Sequence, residues 1–544
     1  MARPSSATVA ELKPRDQDLQ GYEAEQPTDG VIEATDLTHG MITGTPRAKR
    51  PPGSASSIIN GRVREDWVGR RGGYPNYITK PDSNDVMRYV SFHGEQNENR
   101  VVRVSAGGIH AAASTAAWVS MTGTPYSLFQ RTDHAQLLGN LYLANPEKKI
   151  LKLDFSDNSY EEISATTAPV CRYITAFGDR LIAAYIHSPT DGVLPFGLQW
   201  SINSDPRDWS GVGSGSENLI QSPSDTGDEI TGIFGFSNIA VIFRERSIWH
   251  ISRQPFALAP FKFDAIITNQ GCDMPWSIAR LSDEEGRFTG FVYGDSRTNG
   301  IFSYTPGSRP VRLPGSTNIE DQLFTGLTDP SHVVGAFDPK YQEYHFGYPT
   351  AAPPTTDLAA FRVLSLKNNS IVTDDGPACT SIDTVTDVGS SVMIDDLTGV
   401  IDDLTGVIDG LGGVFIFNPI VIKADTAGQS VKEDMGTTGS HTFTWESQDL
   451  VGVSKRRLLK VMTMAMSASS SGNVILQWSA DGSTWTTLKT IADVSSLVQI
   501  GFKPQGGVGA MKTAIHWRVT ALAADFKMTE WWAQLMELGV KRTS

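Results

Sequence analysis

The stretch Gly139-Asn-Leu-Tyr-Leu143, followed by Lys149-Ile-Leu-Lys-Leu-Asp-Phe155, decides the fold class of this chain. Each run is short and mostly apolar, and the Gly, Asn and Pro residues beside the two runs favour turns. A turn, a hydrophobic strand, a second turn and another strand are typical of an antiparallel hairpin. The stretch therefore predicts consecutive antiparallel strands rather than helices.

The same pattern recurs along the chain as far as about residue 420. It starts again at Gly178, Ser237 and Gly290, so that successive starts are 39, 59 and 53 residues apart. A recurrence of about 40–50 residues with roughly four short strands is typical of a β-propeller blade. Later units near Asp338 and Gly412 extend the pattern. We therefore expect an all-β protein with a β-propeller of about six blades over residues 96–425.

Residues 426–544 differ, because their apolar runs are longer and alternate with polar residues. A β-sandwich of roughly 120 residues is predicted there. Adjacent Trp531 and Trp532 point to opposite faces if their segment is extended, so we expect one in the core and the other docked on a partner. The region holds six of the twelve tryptophans, Trp445, Trp478, Trp485, Trp517, Trp531 and Trp532.

Residues 1–95 are predicted to form a polar arm with its first strands, and this arm is basic. The whole chain has a formal net charge of -14, which argues against sequence-specific duplex binding, since such proteins neutralise phosphates with Lys and Arg. A contact with DNA or an acidic partner competes with a solvated loop as the interpretation of the arm. The candidate contact residues are Arg47, Lys49, Arg50, Arg62, Arg64, Arg70 and Arg71.

Motifs for catalysis, metal binding or cofactor binding are not found in the sequence. The ten histidines are spread singly, and the sequence has no GxSxG elbow and no phosphate-binding loop. Cys171, Cys272 and Cys379 lie about a hundred residues apart and are expected to be buried thiols in a reducing cytoplasm. We expect no catalytic site, no metal and no cofactor, and no membrane span, because no uncharged apolar run reaches about 18 residues.

Two segments invite a helical interpretation. Ala111 to Trp118 is the clearest candidate helix, but it is too short to carry a domain. Residues 394–414 contain three tandem sevens of the type Ile-Asp-Asp-Leu-Thr-Gly-Val, whose glycines each destabilise a helix by about 1 kcal/mol relative to Ala. We predict a non-helical connection for the sevens rather than a coiled coil.

One phrase is similar to an enzyme motif. Ser479-Ala-Asp-Gly-Ser-Thr-Trp485 resembles the Asp-box of sialidases, shortened by one residue. Because Asp-Gly is also a strong hairpin signal, we predict a hairpin turn here. An exposed aromatic residue can stack on sugar, so a propeller that binds or cleaves host-surface glycan stays open as the alternative function.

Several phrases resemble the nozzle, or packaged-DNA-stabilisation, proteins of short-tailed bacteriophages. The resemblance rests on Leu198-Gln-Trp-Ser-Ile-Asn-Ser-Asp-Pro-Arg-Asp-Trp209, on Ile242-Phe-Arg-Glu-Arg-Ser-Ile-Trp249 and on the Ile-Asp-Asp-Leu repeats, where such proteins carry Trp-Asp-Ser-Leu-like repeats. Asn60-Gly-Arg-Val-Arg64 and Ser454-Lys-Arg-Arg-Leu-Leu459 also resemble this group. The resemblance covers about residues 40 to 540.

The resemblance implies a structural protein of the virion tail, made in the host cytoplasm. Its copies are expected to form a homo-oligomeric ring, a hexamer, below the portal and the head-to-tail adaptor protein. The ring lumen is expected to retain genomic DNA and then let it pass during ejection, through transient contact. The ring is also expected to carry tail fibres, spikes or a needle.

Overall fold

Antiparallel strands make up nearly all of the regular structure in the computed structural model of this chain. The structure describes residues 29–538 except 35–36, 44–49, 52, 65–66, 95–97, 124–129, 164–166, 189–191, 221–226, 237, 257–258, 284–286, 352–356, 389–418, 433–441, 448–455, 468–471, 480–482, 492–497, 503–515 and 523–525. The predicted all-β class is confirmed. The tandem sevens of residues 394–414 and the unit expected near Gly412 lie outside the described residues.

The first strands of the chain precede the repeating units. They are β1 (Asp29–Ala34), β2 (Ala55–Ile59), β3 (Gly61–Val63) and β4 (Val68–Arg70).

Seven successive groups of mainly antiparallel strands follow, and we call them units 1 to 7. In most of them each strand pairs with the next along the chain. Units 1 to 3 comprise β5 (Val86–His93), β6 (Asn99–Ser105), β7 (Gly108–Ala112) and β8 (Val119–Ser120); then β9 (Thr122–Gly123), β10 (Asp133–Leu137), β11 (Asn140–Asn145), β12 (Lys148–Asp154) and β13 (Ser159–Glu162); then β14 (Val170–Phe177), β15 (Arg180–Ser188), β16 (Gly192–Trp200) and β17 (Gly215–Asn218).

Units 4 to 7 repeat this pattern, and unit 7 has three strands in the described residues. They comprise β18 (Ile230–Gly235), β19 (Ile239–Arg244), β20 (Ile248–Phe256) and β21 (Ala259–Ile267); β22 (Ala279–Ser282), β23 (Phe288–Asp295), β24 (Gly300–Tyr304) and β25 (Val311–Arg312); β26 (Val334–Asp338), β27 (Glu343–Tyr348), β28 (Ala360–Ser365) and β29 (Ser370–Asp374); and β30 (Cys379–Thr386), β31 (Pro419–Asp425) and β32 (Ser430–Lys432). Units 2 and 3 join through β12 and β14, and unit 6 shares a sheet with β2 and C-terminal strands. Short helices lie at Pro275–Ser277, Pro314–Asn318 and Pro330–His332.

The leading strands of the units lie side by side, and this contact makes the fold propeller-like. We call β5, β10, β14, β18, β22, β26 and β30 the inner strands. Inner strand β10 contacts β14, β14 contacts β18, β22 contacts β26, and β26 contacts β30. The inner strand of unit 7, β30, then packs against β5 of unit 1. The last unit therefore returns to the first.

The C-terminal strands form two sheets. They are β33 (Phe443–Ser447), β34 (Arg456–Ser467), β35 (Val474–Ser479), β36 (Thr486–Ile491), β37 (Val498–Phe502), β38 (His516–Ala521) and β39 (Lys527–Leu538). One sheet has the order β33-β38-β35-β36, and the other contains β39, β34 and β37. The fully buried rings of Trp445 and Trp517 have centroids 4.6 Å apart, and Trp531 of the other sheet lies 4.8 Å from Trp517. These three indoles join the two sheets.

Strand pairing crosses both predicted domain limits. Strand β1 pairs with β39, and β2 lies between β29 of unit 6 and β33. Unit 1 also begins at Val86, before residue 95. The limits 1–95, 96–425 and 426–544 stay predictions, but the first strands are built into sheets of the other two regions rather than standing apart as an arm.

The candidate helix at Ala111 to Trp118 is wrong. Ala111 and Ala112 belong to β7, and Ala111 pairs with Val119 of β8. Both alanines are buried, so pairing and packing outweigh the helix propensity of Ala. The expected burial of the cysteines is confirmed, because Cys171, Cys272 and Cys379 are all buried and form no disulfide.

Candidate functional site

The inner strands bring two buried carboxylates together with two partly buried arginines. Arg88 of β5 has its Nη1 3.3 Å from Asp133 Oδ1 of β10, and its Nε lies 3.6 Å from Asp383 Oδ1 of β30. Arg131, two residues before Asp133, has its Nη2 3.6 Å from the same Asp383 oxygen. One guanidinium therefore links units 7, 1 and 2. We call Arg88, Arg131, Asp133 and Asp383 the axial cluster.

The two carboxylates of the axial cluster also bind the backbone of the following unit. Asp133 Oδ2 accepts a hydrogen bond of 3.1 Å from the backbone N–H of Ile174 in unit 3. Asp383 Oδ2 accepts one of 3.0 Å from the N–H of Tyr89 in unit 1. These bonds use charge-assisted acceptors to satisfy buried donors, so they fix neighbouring inner strands to each other.

Hydroxyl groups make the same kind of contact between other units. Thr175 Oγ1 of unit 3 accepts a hydrogen bond of 2.7 Å from the N–H of Gly235 in unit 4. Ser91 Oγ of unit 1 accepts one of 2.7 Å from the N–H of Thr386 in unit 7. These side chains along the inner strands therefore link neighbouring units through hydrogen bonds.

A cavity of about 30 Å³ lies inside the axial cluster. Its lining includes side chains from the inner strands of units 1, 2, 3, 4 and 7, together with Gly335 of unit 6. Trp276, beside it, has its ring centroid 5.7 Å from the guanidinium carbons of both Arg88 and Arg131. By this measure a water needs roughly 10–15 Å³, so the cavity holds only water-sized occupants.

Burial changes the titration of the groups around this cavity. It raises the pKa of Asp133 above its ordinary value, although Arg88 acts in the opposite direction. It lowers the pKa of Arg131 to about 10 and that of His134 well below its ordinary value. At neutral pH Arg131 therefore stays charged, while His134 is neutral.

The structure separates the residues of the predicted basic arm. Arg62, Arg70 and Arg71 are buried, so they do not form one solvated surface with the others. Arg70 Nη1 donates a hydrogen bond of 2.8 Å to the carbonyl of Leu522. Arg64 and Arg50 are partly exposed, and Arg47 and Lys49 lie outside the described residues. Contact with DNA or a partner stays a prediction, now centred on the unburied members.

Arg62 and Arg71 converge on one buried carboxylate. Arg62 Nε and Nη2 donate to Glu343 Oε1 and Oε2 at 3.0 and 3.1 Å, a bidentate pair, and Arg71 Nη1 lies 3.3 Å from Oε2. His345 Nε2 lies 3.7 Å from the same oxygen. We call these four residues the Glu343 cluster. Burial alone acts to raise the pKa of Glu343, but the two guanidinium groups outweigh it and lower that pKa to about 2.

Of the predicted docking pair Trp531 and Trp532, the structure describes the side chain of Trp531. Trp531 is fully buried between the C-terminal sheets, so it is the core member of the pair. Trp532 pairs through its backbone with Glu33 and Thr463, and its side chain lies outside the described residues. Docking through Trp532 stays a prediction.

The Asp-box-like phrase lies between two paired strands, and its residues 480–482, where the turn is predicted, lie outside the described residues. Strands β35 and β36 pair antiparallel on either side of it. Trp485 is partly buried, and the guanidinium carbon of Arg518 lies 3.9 Å from its ring centroid. One face of this aromatic ring is therefore covered by a cation of the same chain. Glycan binding stays a prediction.

Sequence reasoning missed the axial cluster and Glu343. Asp383 lies in the run Ser381-Ile-Asp-Thr-Val385, and a carboxylate within a β-branched strand was a usable signal of a buried polar contact. Nothing in the sequence indicated its partners, because they lie about 250 and 295 residues away.

Groups of three or more metal-ligating side chains are not found among the described residues. Within that same part of the chain, no helix has the length and apolar character needed to cross a membrane.

Comparison with known proteins gives structural similarities at low identity. No protein-family model and no curated protein matches the chain. The extracellular domain of a hybrid two-component system of B. thetaiotaomicron is 11% identical, with a TM-score of 0.37 over 68% of this chain and 41% of that one. The WD40 repeats of RRP9 are 8% identical, with a TM-score of 0.39 over 68% of this chain and 100% of that one. The extracellular domain of a one-component system of B. thetaiotaomicron is 10% identical, with a TM-score of 0.38 over 80% of this chain and 48% of that one. The chain thus spans less than half the length of these two extracellular domains.

Proposed function

We propose that this chain is a non-enzymatic structural protein of a short-tailed phage virion, a tail nozzle that assembles as a ring. The observation that carries the proposal is that ion pairs in the interior link the units to one another and to the first strands. Arg88 links units 7, 1 and 2, and Glu343 ties the first strands of the chain to unit 6. A part that transmits load through a virion needs such rigid internal connections. The sequence phrases similar to nozzle proteins support a position in the tail.

We infer further that the seven units are seven blades of one propeller, one more than the spacing of the sequence pattern suggested. The contact of β30 with β5 supports closure of the ring of blades. We also infer that the two C-terminal sheets form the predicted β-sandwich around Trp445, Trp517 and Trp531. The shared indole core supports this arrangement.

The proposed route of DNA takes account of the size of the axial cavity. In this proposal the lumen lies between copies of the chain, and the small size of the axial cavity, about 30 Å³, supports this because a duplex does not fit in it. A formal charge of -14 on each copy favours a wall that repels DNA and lets it slide. In this proposal the protein is a hexameric ring in the virion, below the head-to-tail adaptor. It carries fibres, spikes or a needle, and it contacts genomic DNA transiently.

The test is the mass and shape of the purified full-length protein, alone and mixed with the adaptor of the same phage. Mass photometry and electron microscopy are expected to find a six-copy ring with an axial opening, stabilised by the adaptor. A protein that stays monomeric under both conditions contradicts the proposal. Binding or cleavage of host-surface glycan by that monomer would instead support the alternative function.

A further inference from the structure

Four hydrogen-bond donors around the axial cavity are left over. They are the Nε atoms of Arg88 and Arg131 and the hydroxyl groups of Tyr173 and Thr231, and all four residues line the cavity. These atoms are buried and have no hydrogen-bond partner among the described residues. Tyr173 and Thr231 are each more than nine-tenths buried. A buried donor without an acceptor costs about 1–3 kcal/mol, so four around one space indicate an occupant that accepts hydrogen bonds.

The carboxylates of the cluster do not supply this acceptor. Asp133 uses one oxygen for Arg88 Nη1 and the other for the N–H of Ile174. Asp383 Oδ2 accepts from the N–H of Tyr89 and from the Ser381 hydroxyl, while its Oδ1 lies 3.6 Å from both Arg88 Nε and Arg131 Nη2. Three of the four carboxylate oxygens are therefore committed, and Asp383 Oδ1 lies beyond hydrogen-bond distance of both guanidinium groups.

The charges around the cavity also leave a positive excess. Arg280 of β22 acts electrostatically on both Asp133 and Arg88. Arg280 does not line the cavity, but its guanidinium carbon lies 5.6 Å from the ring centroid of Phe234, which does. Around the cavity, the three guanidinium groups of Arg88, Arg131 and Arg280 therefore outnumber the two carboxylates. Neighbouring His134 adds no charge at neutral pH. One negative charge would balance the site.

We propose that the axial cavity binds one small monovalent inorganic anion, of which chloride is the test case. Water matches the site less well, because each water also brings two donors into a space where three of the four carboxylate oxygens are already hydrogen-bonded. An anion accepts from all four donors and balances the surplus guanidinium charge. Since these donors come from units 1 to 4, a bound anion fastens the inner strands where Asp133 and Asp383 do not reach.

Binding to the folded chain alone must raise stability with anion concentration. The experiment follows thermal unfolding of the full-length protein in sodium chloride against sodium gluconate at equal ionic strength, since gluconate is too large for the cavity. A saturable rise in Tm with chloride is expected, because the site has one occupant. Crystals grown in bromide are expected to show an anomalous peak between Tyr173 and Thr231.

The matched variants remove one donor each. Tyr173→Phe and Thr231→Val are expected to raise the chloride concentration for half of the stabilisation about tenfold, the effect of one charge-assisted hydrogen bond. Tyr293→Phe is the control, because the Tyr293 hydroxyl is also buried without a partner among the described residues but does not line this cavity. It should leave the chloride response unchanged. A cavity without a bromide peak, or an equal chloride response in all three variants, would show that water alone occupies it.

Discussion

The Glu343 cluster and the axial cluster contain the same chemical groups but differ in how completely these are paired. At Glu343, two guanidinium groups surround one carboxylate, and one of them is bidentate. At the axis, Asp133 has a single guanidinium contact at 3.3 Å, and a cavity adjoins it. Burial raises the pKa of Asp133, whereas at Glu343 the same tendency is overcome and the pKa falls to about 2. The contact geometry therefore decides whether a buried carboxylate stabilises the folded chain.

The largest loss of stability is expected at the Glu343 cluster. Glu343→Gln leaves Arg62 and Arg71 buried without their carboxylate, so the free energy of unfolding should fall by about 3–5 kcal/mol. Urea unfolding measures it. The control is Glu446→Gln, which breaks the partly exposed pair with Arg518 at 2.9 Å and should cost at most about 1 kcal/mol. Equal losses in the two variants would contradict the assignment of Glu343 as the anchor of the first strands.

Lowering the pH should have opposite effects on the stability contributions of Glu343 and Asp133. The folded pKa of Glu343 lies below its ordinary 4.5, so its stabilisation is complete above pH 4.5 and is lost as the pH falls towards 2. A fall of the pKa from 4.5 to about 2 corresponds to roughly 3 kcal/mol. The folded pKa of Asp133 lies above its ordinary 3.8, so its contribution is present below 3.8 and is lost as the pH rises through the folded value.

The measurement is urea unfolding of the wild type and Glu343→Gln between pH 2 and 6. The wild type is expected to lose stability steeply below pH 4.5, and the variant should show a flatter acid limb. An unchanged acid limb in the variant would mean that another carboxylate controls acid unfolding.

An intermediate effect is expected at the axis. Asp383→Asn removes the charge that faces Arg88 and Arg131 but keeps an oxygen for the N–H of Tyr89. Because the cavity gives both guanidinium groups access to another partner, the loss should be about 2 kcal/mol, less than at Glu343. Chloride should recover part of this loss. A loss as large as that of Glu343→Gln, without recovery by chloride, would show that the charges of the axial cluster are as completely paired as those of the Glu343 cluster.

The sequence predicted the strands well and the two clusters poorly, for physical reasons. The strand signals at Gly139, Gly178 and Ser237 are local, and the predicted strands appear at β11, β15 and β19. Arg62 and Glu343 are 281 positions apart, and no local pattern indicates that they meet. The basic composition of the arm was therefore visible, while the burial of Arg62, Arg70 and Arg71 was not.

The smallest effect on stability is expected when the surplus positive charge near the axial cavity is removed. Arg280 is exposed, and its guanidinium carbon lies 5.6 Å from the ring centroid of Phe234 and 5.3 Å from that of Phe236. Arg280→Gln should therefore change the free energy of unfolding by less than about 1 kcal/mol in the absence of chloride. The same exchange at buried Arg71 should cost more, because Glu343 would lose one of its two guanidinium partners.

The sharper measurement on Arg280→Gln is the response to chloride. Without Arg280 the two carboxylates balance Arg88 and Arg131, so the surplus charge that favours an anion is gone and the rise in Tm with chloride should shrink. Arg71→Gln should keep the full chloride response despite its larger loss of stability, because Arg71 does not line the cavity. If Arg280→Gln also kept the full response, the four left-over donors alone would hold the anion and charge balance would have no part in its binding.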